Sequence, residues 1–583
     1  MKARKRETRK STLATAAAAT GKARPVWTWY ALAALAAVVV VFWAYSPALH
    51  GEFLFDDNVL PFSLPNAAAP FSAWFGQIRP VLMFTYWINS RISAEDPYSY
   101  HVFNVIFHCL TSLLIFGMVR RLLEWSGAQA SRRNLLAGFA ALLFLLHPAQ
   151  AESVAYLAGR SEALSVLLVF ASFTVFLYRP KPKVSWPVVA AVLALFGAAV
   201  LVKEHTVVLP ALLLVTDYWW NPGFSFHGIR RNWKLYLPMA LGAAGGVAFF
   251  WNLITGASTG GTAGFGITDF TWYQYFFTEC RALFVYIGIF LLPVNLTADW
   301  DFPISRTILD RGAIFGLLAL LALAAVAWRY RRRFPLASYG YFVFLLLMSP
   351  TSSILPIKDV ITERRLYFSM FGLVLILVDV LGRLKVDHRA LAAACAAVAL
   401  VAAGATHARA AVWADPVSLW EDTVRKSPGK RRAHFQLAYA YDQQGRYGSA
   451  LEEFQKTAEL GPLTPDLLLD WGLAYDHLSR FDQALAKFQQ AAMMRPTAHV
   501  YSQIAMVYAQ QSRWAEALEV LATAEKIDPN FPDTYTYRGK VYLSTNQVQA
   551  AIREYQRALA IDPTLEDARH DLAIAEGRLR AGH

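Results

Sequence analysis

Apolar runs long enough to cross a bilayer succeed one another from about Trp27 to about Ala405, and then stop. A helix needs about 20 apolar residues to span the hydrocarbon layer, and in lipid each segment must satisfy its own backbone hydrogen bonds. The runs therefore dictate a polytopic, all-α bundle. Past residue 410 the chain turns polar and stays helical, so a membrane part is followed by a soluble part.

The chain has 583 residues and a formal net charge of +13. Such an excess can mark a nucleic-acid binder, but here it sits in short loops between apolar runs. Arg120, Arg121, Arg132 and Arg133 form one group, Arg179, Lys181 and Lys183 a second, and Arg230, Arg231 and Lys234 a third. That is the positive-inside pattern. It orients the bundle and argues against a nucleic-acid partner. The basic tail 1–26 then lies inside, and the first run lacks a small-residue cleavage site, which makes it an uncleaved span. Cys109, Cys280 and Cys395 form no CxxC, against a disulfide framework or a zinc site. Alternating the loops by charge gives about eleven crossings and an outer C-terminus. The run from about Tyr275 to Leu292 fits the charge balance best as a re-entrant or interfacial segment.

The outer turns carry acid and base together: Asp56, Asp57, Glu152, Arg160, Lys203, Glu204, His205, Glu279, Arg281, Asp299, Asp301, Glu363 and Arg364. Topology signals do not require this mixture, whereas a polar cavity handling an anionic substrate does.

The tail repeats. Tyr441, Tyr475, Tyr508 and Tyr542 recur at intervals of 34, 33 and 34, and Ala450, Ala484, Ala517 and Ala551 keep step. So do Pro462, Pro496, Pro529 and Pro563, while Ala438, Gly472, Ala505 and Gly539 each precede a Tyr by three. This is the tetratricopeptide pattern, in which small residues let two helices approach and bulky ones fill the gap. The expected organisation is a transmembrane domain over 27–410 with a long first outer loop at 47–100. A linker with a degenerate half-repeat covers 411–432, four repeats cover 433–563, and a capping helix covers 564–583. Such superhelices form a groove for polypeptide, and a passive spacer is the plainer alternative.

Asp56-Asp57, Arg79-Pro80, His147-Pro148 with Glu152 and Gly159-Arg160, Lys203-Glu204, and Glu363-Arg364 with Tyr367 occur in this order before the repeats. In that ordered set the chain resembles the transmembrane and tetratricopeptide-repeat-containing (TMTC) family of protein O-mannosyltransferases over nearly its whole length. It departs from them at Arg365, where an aromatic residue is common, and in having only about four full repeats. The resemblance implies a GT-C glycosyltransferase, and a bacterial member fits the Ala-rich, Cys-poor composition. Such enzymes pass a sugar from a polyprenyl- or dolichyl-phosphate donor to an acceptor on the exoplasmic face, usually with inversion. The localisation implied is a bacterial inner membrane facing the periplasm, or the endoplasmic reticulum if the source is eukaryotic.

The residue types suit that reaction. A Ser or Thr hydroxyl needs a carboxylate base within hydrogen-bond reach, for which Asp56 and Asp57 are the candidates; loop capping is the plainer alternative. The leaving phosphate needs cations aimed at its developing charge, with Arg364 first and Lys203, His205 and Arg160 next. Lys203 could instead snorkel at a span end, and Arg160 could pair with Glu152 or Glu162. Arg79, His147, Glu152, Glu204, Glu363 and Tyr367 are supporting candidates, Glu363 by orienting Arg364. Asp299 and Asp301 form a candidate pair for a divalent cation (Mg, Mn or Ca), without further close ligands. The function expected is transfer of a hexose, mannose by the resemblance, to protein Ser/Thr, with the acceptor presented through the repeat groove and membrane lipids around the bundle. The other readings are a non-catalytic membrane-anchored scaffold, and a glycosyltransferase with a lipid or glycan acceptor.

Overall fold

The structure is a computed structural model, and it describes residues 26–55, 57, 71–75, 79–255 and 262–581. In chain order the helices are α1 (Val26–Tyr45), α2 (Phe71–Phe75), α3 (Pro80–Ser93), α4 (Tyr98–Trp125), α5 (Ala130–Leu145), α6 (Ala151–Val154), α7 (Arg160–Leu177), α8 (Trp186–Val200) and α9 (Leu209–Trp220). Then come α10 (His227–Arg231), α11 (Trp233–Thr255), α12 (Trp272–Leu291), α13 (Ala313–Tyr330), α14 (Pro335–Met348), α15 (Arg365–Arg383) and α16 (His388–Val412). Among the described residues no strand is present, and one isolated bridge joins Ala263 to Ile357.

Among the described residues six helices are long and apolar enough to cross a membrane: α1, α4, α7, α13, α15 and α16. The count becomes seven if α5 and the short helices after it, bent by 50°, make one span. The chain is a multi-pass membrane protein. The segment between α1 and α4 is not all loop, because α3 packs on α4 and α7 through Leu82, Met83 and Tyr86.

The helices converge at one end. There the C-terminal ends of α1, α5 and α16 meet: Trp43 stacks on His407 with centroids 4.6 Å apart, and Thr406 Oγ1 donates to the Leu146 carbonyl at 2.7 Å. The N-terminal ends of α4, α7 and α15 share this end. So does α12 along its whole length. Tyr275 Oη reaches the Thr351 carbonyl at 2.5 Å, Tyr286 Oη accepts from the Thr362 N–H at 3.1 Å, and the Phe290 carbonyl faces His147 Nε2 at 3.1 Å. Residues 351, 362 and 147 all belong to this end, so α12 lies along the bundle rather than through it.

The soluble part continues as α17 (Pro416–Lys426) and then helix pairs: α18 (Arg431–Gln443) with α19 (Tyr447–Glu459), α20 (Pro465–His477) with α21 (Phe481–Met494), α22 (Ala498–Gln510) with α23 (Trp514–Ile527), and α24 (Pro532–Ser544) with α25 (Val548–Ile561). Finally α26 (Glu566–Ala581) packs on α25. Thr464 and Thr497 cap α20 and α22 by accepting the Leu467 and Val500 N–H groups at 3.3 Å each. The repeat logic holds at atomic level. A Cβ on Gly472 would sit 2.4 Å from the Phe488 ring, and one on Gly539 2.5 Å from the Tyr555 ring. The tail is a tetratricopeptide-repeat array.

The array docks on the converging end of the bundle. Arg432 donates to Asp299 Oδ2 at 2.6 Å and to Asp359 Oδ1 at 2.8 Å, and Lys430 pairs with Asp299 Oδ1 at 3.1 Å. Lys426 Nζ donates to the Leu296 carbonyl at 2.6 Å, and the Phe55 ring meets Trp420 edge-on.

Candidate active site

Glu152 lies on α6, just beyond the bend after α5, and is 1% exposed. Burying a carboxylate demands a partner, and here the partner is Arg364 at the N-terminus of α15. Glu152 Oε2 accepts the Arg364 backbone N–H at 2.9 Å, and Oε1 accepts Nη1 at 2.6 Å. The dipole of α15 adds to this attraction. Arg364 keeps 27% of its side chain exposed, and its Nε and Nη2 make no protein hydrogen bond among the described residues.

A second group comes from the segment after α8. Lys203 Nζ pairs with Glu162 Oε1 and donates to Ser161 Oγ at 3.2 Å. Burial lowers the Lys203 ammonium from its ordinary range, against the pull of Glu162. His205 Nε2 lies 3.4 Å from Glu162 Oε2, and among the described residues neither ring nitrogen has a hydrogen-bond partner. Burial pushes His205 down to about 4, so the imidazole is neutral at pH 7. Arg79 grips Glu204 in a two-pronged pair at 3.0 and 2.8 Å, with both side chains more than a third exposed. Lys203 is close enough to Arg364 and Arg79 to feel the charge of both.

Asp57 belongs to the segment that follows α1. Asp56 lies outside the described residues. Asp57 is 1% exposed; Oδ1 accepts the Ala158 N–H at 2.7 Å and Oδ2 the Leu54 N–H at 3.0 Å. It thus ties the first segment to the turn at Leu157–Gly159. That turn rests directly on α6, since a Cβ on Gly159 would lie 2.7 Å from the Glu152 carbonyl oxygen. One line of contacts runs from Asp57 through Ala158 and Glu152 to Arg364.

Arg160 has another place than the phosphate cluster. It is wholly enclosed. Its Nε donates to Asn104 Oδ1 at 2.8 Å, Nη1 to Asn89 Oδ1 at 2.6 Å and Nη2 to the Tyr100 carbonyl at 2.8 Å, with the Tyr86 ring 4.4 Å away. Neither Glu152 nor Glu162 is its partner, because Arg364 and Lys203 claim them. Arg160 ties α3 and α4 to α7. His147 accepts the Ala149 N–H on Nδ1 at 3.3 Å, which leaves Nε2–H to donate to the Phe290 carbonyl, so it caps the bend. Tyr367 is buried in the bundle, its hydroxyl 3.0 Å from His108 Nδ1.

Asp299 and Asp301 do not fit a cation site. Both oxygens of Asp299 face cations, Lys430 and Arg432, and among the described residues no group of three His, Cys, Asp or Glu side chains gathers as a metal would need.

Glu363 is fully buried. Oε1 accepts the Thr297 N–H at 2.5 Å, and Oε2 lies 3.6 Å from Arg409 Nη2. Arg409 is closer to Asp422 of α17, at 2.9 Å. Burial pushes the Glu363 carboxyl up to about 8; Arg409 opposes this and Glu152 reinforces it. Sequence reasoning missed Arg409, Asp359, Lys430 and Arg432. A signal existed for Arg409, an ionisable residue late in the last apolar run.

A model for the TPR repeat matches residues 505–546 and 539–579, and a tetratricopeptide repeat model matches 381–466. Among curated proteins, the chain is 22% identical to mouse protein O-mannosyl-transferase TMTC3 over 85% of its own length and 58% of that protein. It is 24% identical to human protein O-mannosyl-transferase TMTC1, over 72% of this chain and 54% of that one. Protein O-mannosyl-transferase F38B6.6 of Caenorhabditis elegans is 21% identical, over 72% and 61%. The chain spans less than two thirds of the length of these relatives. Among solved structures, YrrB, a TPR protein with an unusual peptide-binding site, aligns with 26% of this chain and 80% of its own at 21% identity and a TM-score of 0.23.

Proposed function

We propose that the chain is a membrane glycosyltransferase that moves a hexose, mannose by its likeness to the TMTC proteins, from a polyprenyl- or dolichyl-phosphate donor to Ser or Thr of a protein. The observation that carries this reading is Arg364. A buried carboxylate holds its backbone and one guanidinium nitrogen, while the rest of the fork makes no protein hydrogen bond among the described residues; nearby, Glu162 pairs with Lys203 and lies 3.4 Å from the His205 ring, whose nitrogens make no hydrogen bond among those residues. Such an arrangement suits an anion that arrives from outside the protein.

In this reading Arg364 and Lys203 face the donor phosphate, and His205, neutral at pH 7, gives it a hydrogen bond. Asp56 takes the proton of the acceptor hydroxyl. The freed oxygen attacks the anomeric carbon as the phosphate leaves from the opposite face, which inverts the configuration. Asp57 holds the segment that carries the base, and Arg160 is architectural. The site end is exoplasmic, since Arg121, Arg132, Arg179 and Arg383 gather at the other end, and the repeat array presents the acceptor polypeptide.

The test is reconstitution of the full chain in liposomes with a polyprenyl-phosphate mannose donor and a Ser/Thr-rich acceptor. Sugar on the acceptor, lost in Arg364→Ala, is expected. Equal transfer by wild type and Arg364→Ala would refute the assignment.

A further inference from the structure

The opposite end of the bundle holds a second gathering of cations, unrelated to the reaction. There the turn between α4 and α5 faces the connection between α15 and α16 across a cleft of about 450 Å3. Leu123, Gln129, Arg132, Asp379, Arg383 and Lys385 line it. Both ends of the Asp379 carboxylate are engaged: Oδ1 accepts from Arg383 Nε at 2.8 Å and Oδ2 from the Ala337 N–H at 2.8 Å. Arg132 donates to the Leu384 and Val386 carbonyls at 2.6 and 2.5 Å. Those acceptors are neutral, so they orient the guanidinium without cancelling its charge. Asp379 pairs with Arg383 rather than with Arg132 or Lys385, which leaves the cleft positive.

The cleft also sits at a membrane boundary. Trp125, the last residue of α4, lies 6.4 Å from Trp220, and the Arg121 guanidinium stands 5.4 Å from both the Trp125 and Tyr178 rings. Aromatic rings with basic side chains collect where hydrocarbon meets headgroups. Val380, Leu384 and Val386 are exposed beside the cations. Free phosphate would use the cations alone, whereas a phospholipid uses the cations and the apolar rim together.

We propose that this cleft binds the phosphate headgroup of an anionic glycerophospholipid, whose acyl chains run along Val380 and Leu384. Basic clefts between spanning helices are suited to such headgroups, and each nearby cation contributes about 1 kcal/mol, roughly a fivefold change in binding. General attraction of a basic loop to an anionic leaflet would be non-saturable, and this site is saturable.

The experiment is titration of the purified full chain, in phosphatidylcholine nanodiscs, with fluorescent phosphatidylglycerol. Saturable binding is expected, weakened about fivefold in Lys385→Gln and unchanged by millimolar inorganic phosphate. Arg132→Gln should weaken it at least as much, but Arg132 also straps the α15–α16 connection, so Lys385→Gln is the decisive variant. Non-saturable uptake, equal affinity of Lys385→Gln and wild type, or displacement by inorganic phosphate would each overturn the proposal.

Discussion

One carboxylate, Glu152, holds Arg364 at two points, the backbone N–H at 2.9 Å and Nη1 at 2.6 Å. Because one contact is to main chain, the direction of the guanidinium is tied to the start of α15 rather than to side-chain rotamers. Arg364→Lys keeps the charge but loses the fork. It is expected to cost about 10²-fold in kcat of sugar transfer, and Arg364→Ala about 10²–10³-fold, read from initial rates in liposomes. Glu152→Ala leaves a half-buried cation and should destabilise the chain by about 2–3 kcal/mol, below the fully buried figure because Arg364 is partly exposed. Thermal unfolding in detergent checks this.

The adjacent acids should separate by behaviour. Asp56→Asn is expected to remove about 10²–10⁴-fold of the transfer rate with little change in Tm, as loss of a general base does. Asp57→Ala strips the acceptor from the buried Leu54 N–H and the partly buried Ala158 N–H and should lower Tm, at about 1–3 kcal/mol. The reverse pattern, with Asp57→Asn abolishing transfer at unchanged Tm, would move the base to Asp57.

Glu363 makes stability depend on pH. Its folded pKa of about 8 lies above the unfolded carboxylate value near ~4.3. The folded state therefore binds the proton more tightly, and the stabilisation present at low pH is lost as pH rises toward 8. Glu363→Gln should flatten this slope and raise Tm at pH 8 relative to wild type, with little gain at pH 5. Unfolding curves across that range give the comparison.

The junction should behave as a coupled unit. A double-mutant cycle on Arg432→Ala and Asp299→Ala is expected to give a coupling energy of about 0.5–2 kcal/mol, and hydrogen exchange in 411–432 should rise in either single variant. Independent, additive effects would mean that the array does not lean on these ions.

The repeats were legible in sequence because their chemistry is local: a small residue, an aromatic and a proline recur at fixed offsets, and Gly472 under Phe488 is that code in space. Of the ordered motifs, Glu152, Lys203 and Arg364 lie at one end of the bundle. Partner choice was not legible. Arg160 and Lys203 look alike in sequence, but Asn89 and Asn104, arriving from α3 and α4, enclose the first, and Glu162 claims the second. Asp299 read as a metal ligand because its partners, Lys430 and Arg432, lie 131 and 133 residues later. Such pairings are properties of the folded contacts, not of spacing.

The ionic clasp of Arg432 and Lys430 on the bundle has a consequence for what the protein can modify. Under the proposed function, a groove held to the membrane part by these ions keeps a docked acceptor at a constant gap from the transfer site. Extended chain covers at most ~3.6 Å per residue, which turns that gap into a minimum number of residues. Hydroxyls too near the docked segment are expected to stay bare while more distant ones are glycosylated, like marks beginning only partway along a ruler. Mapping modified positions on acceptors with the docking segment moved stepwise would show that offset, and loosening the clasp with Arg432→Ala should blur it.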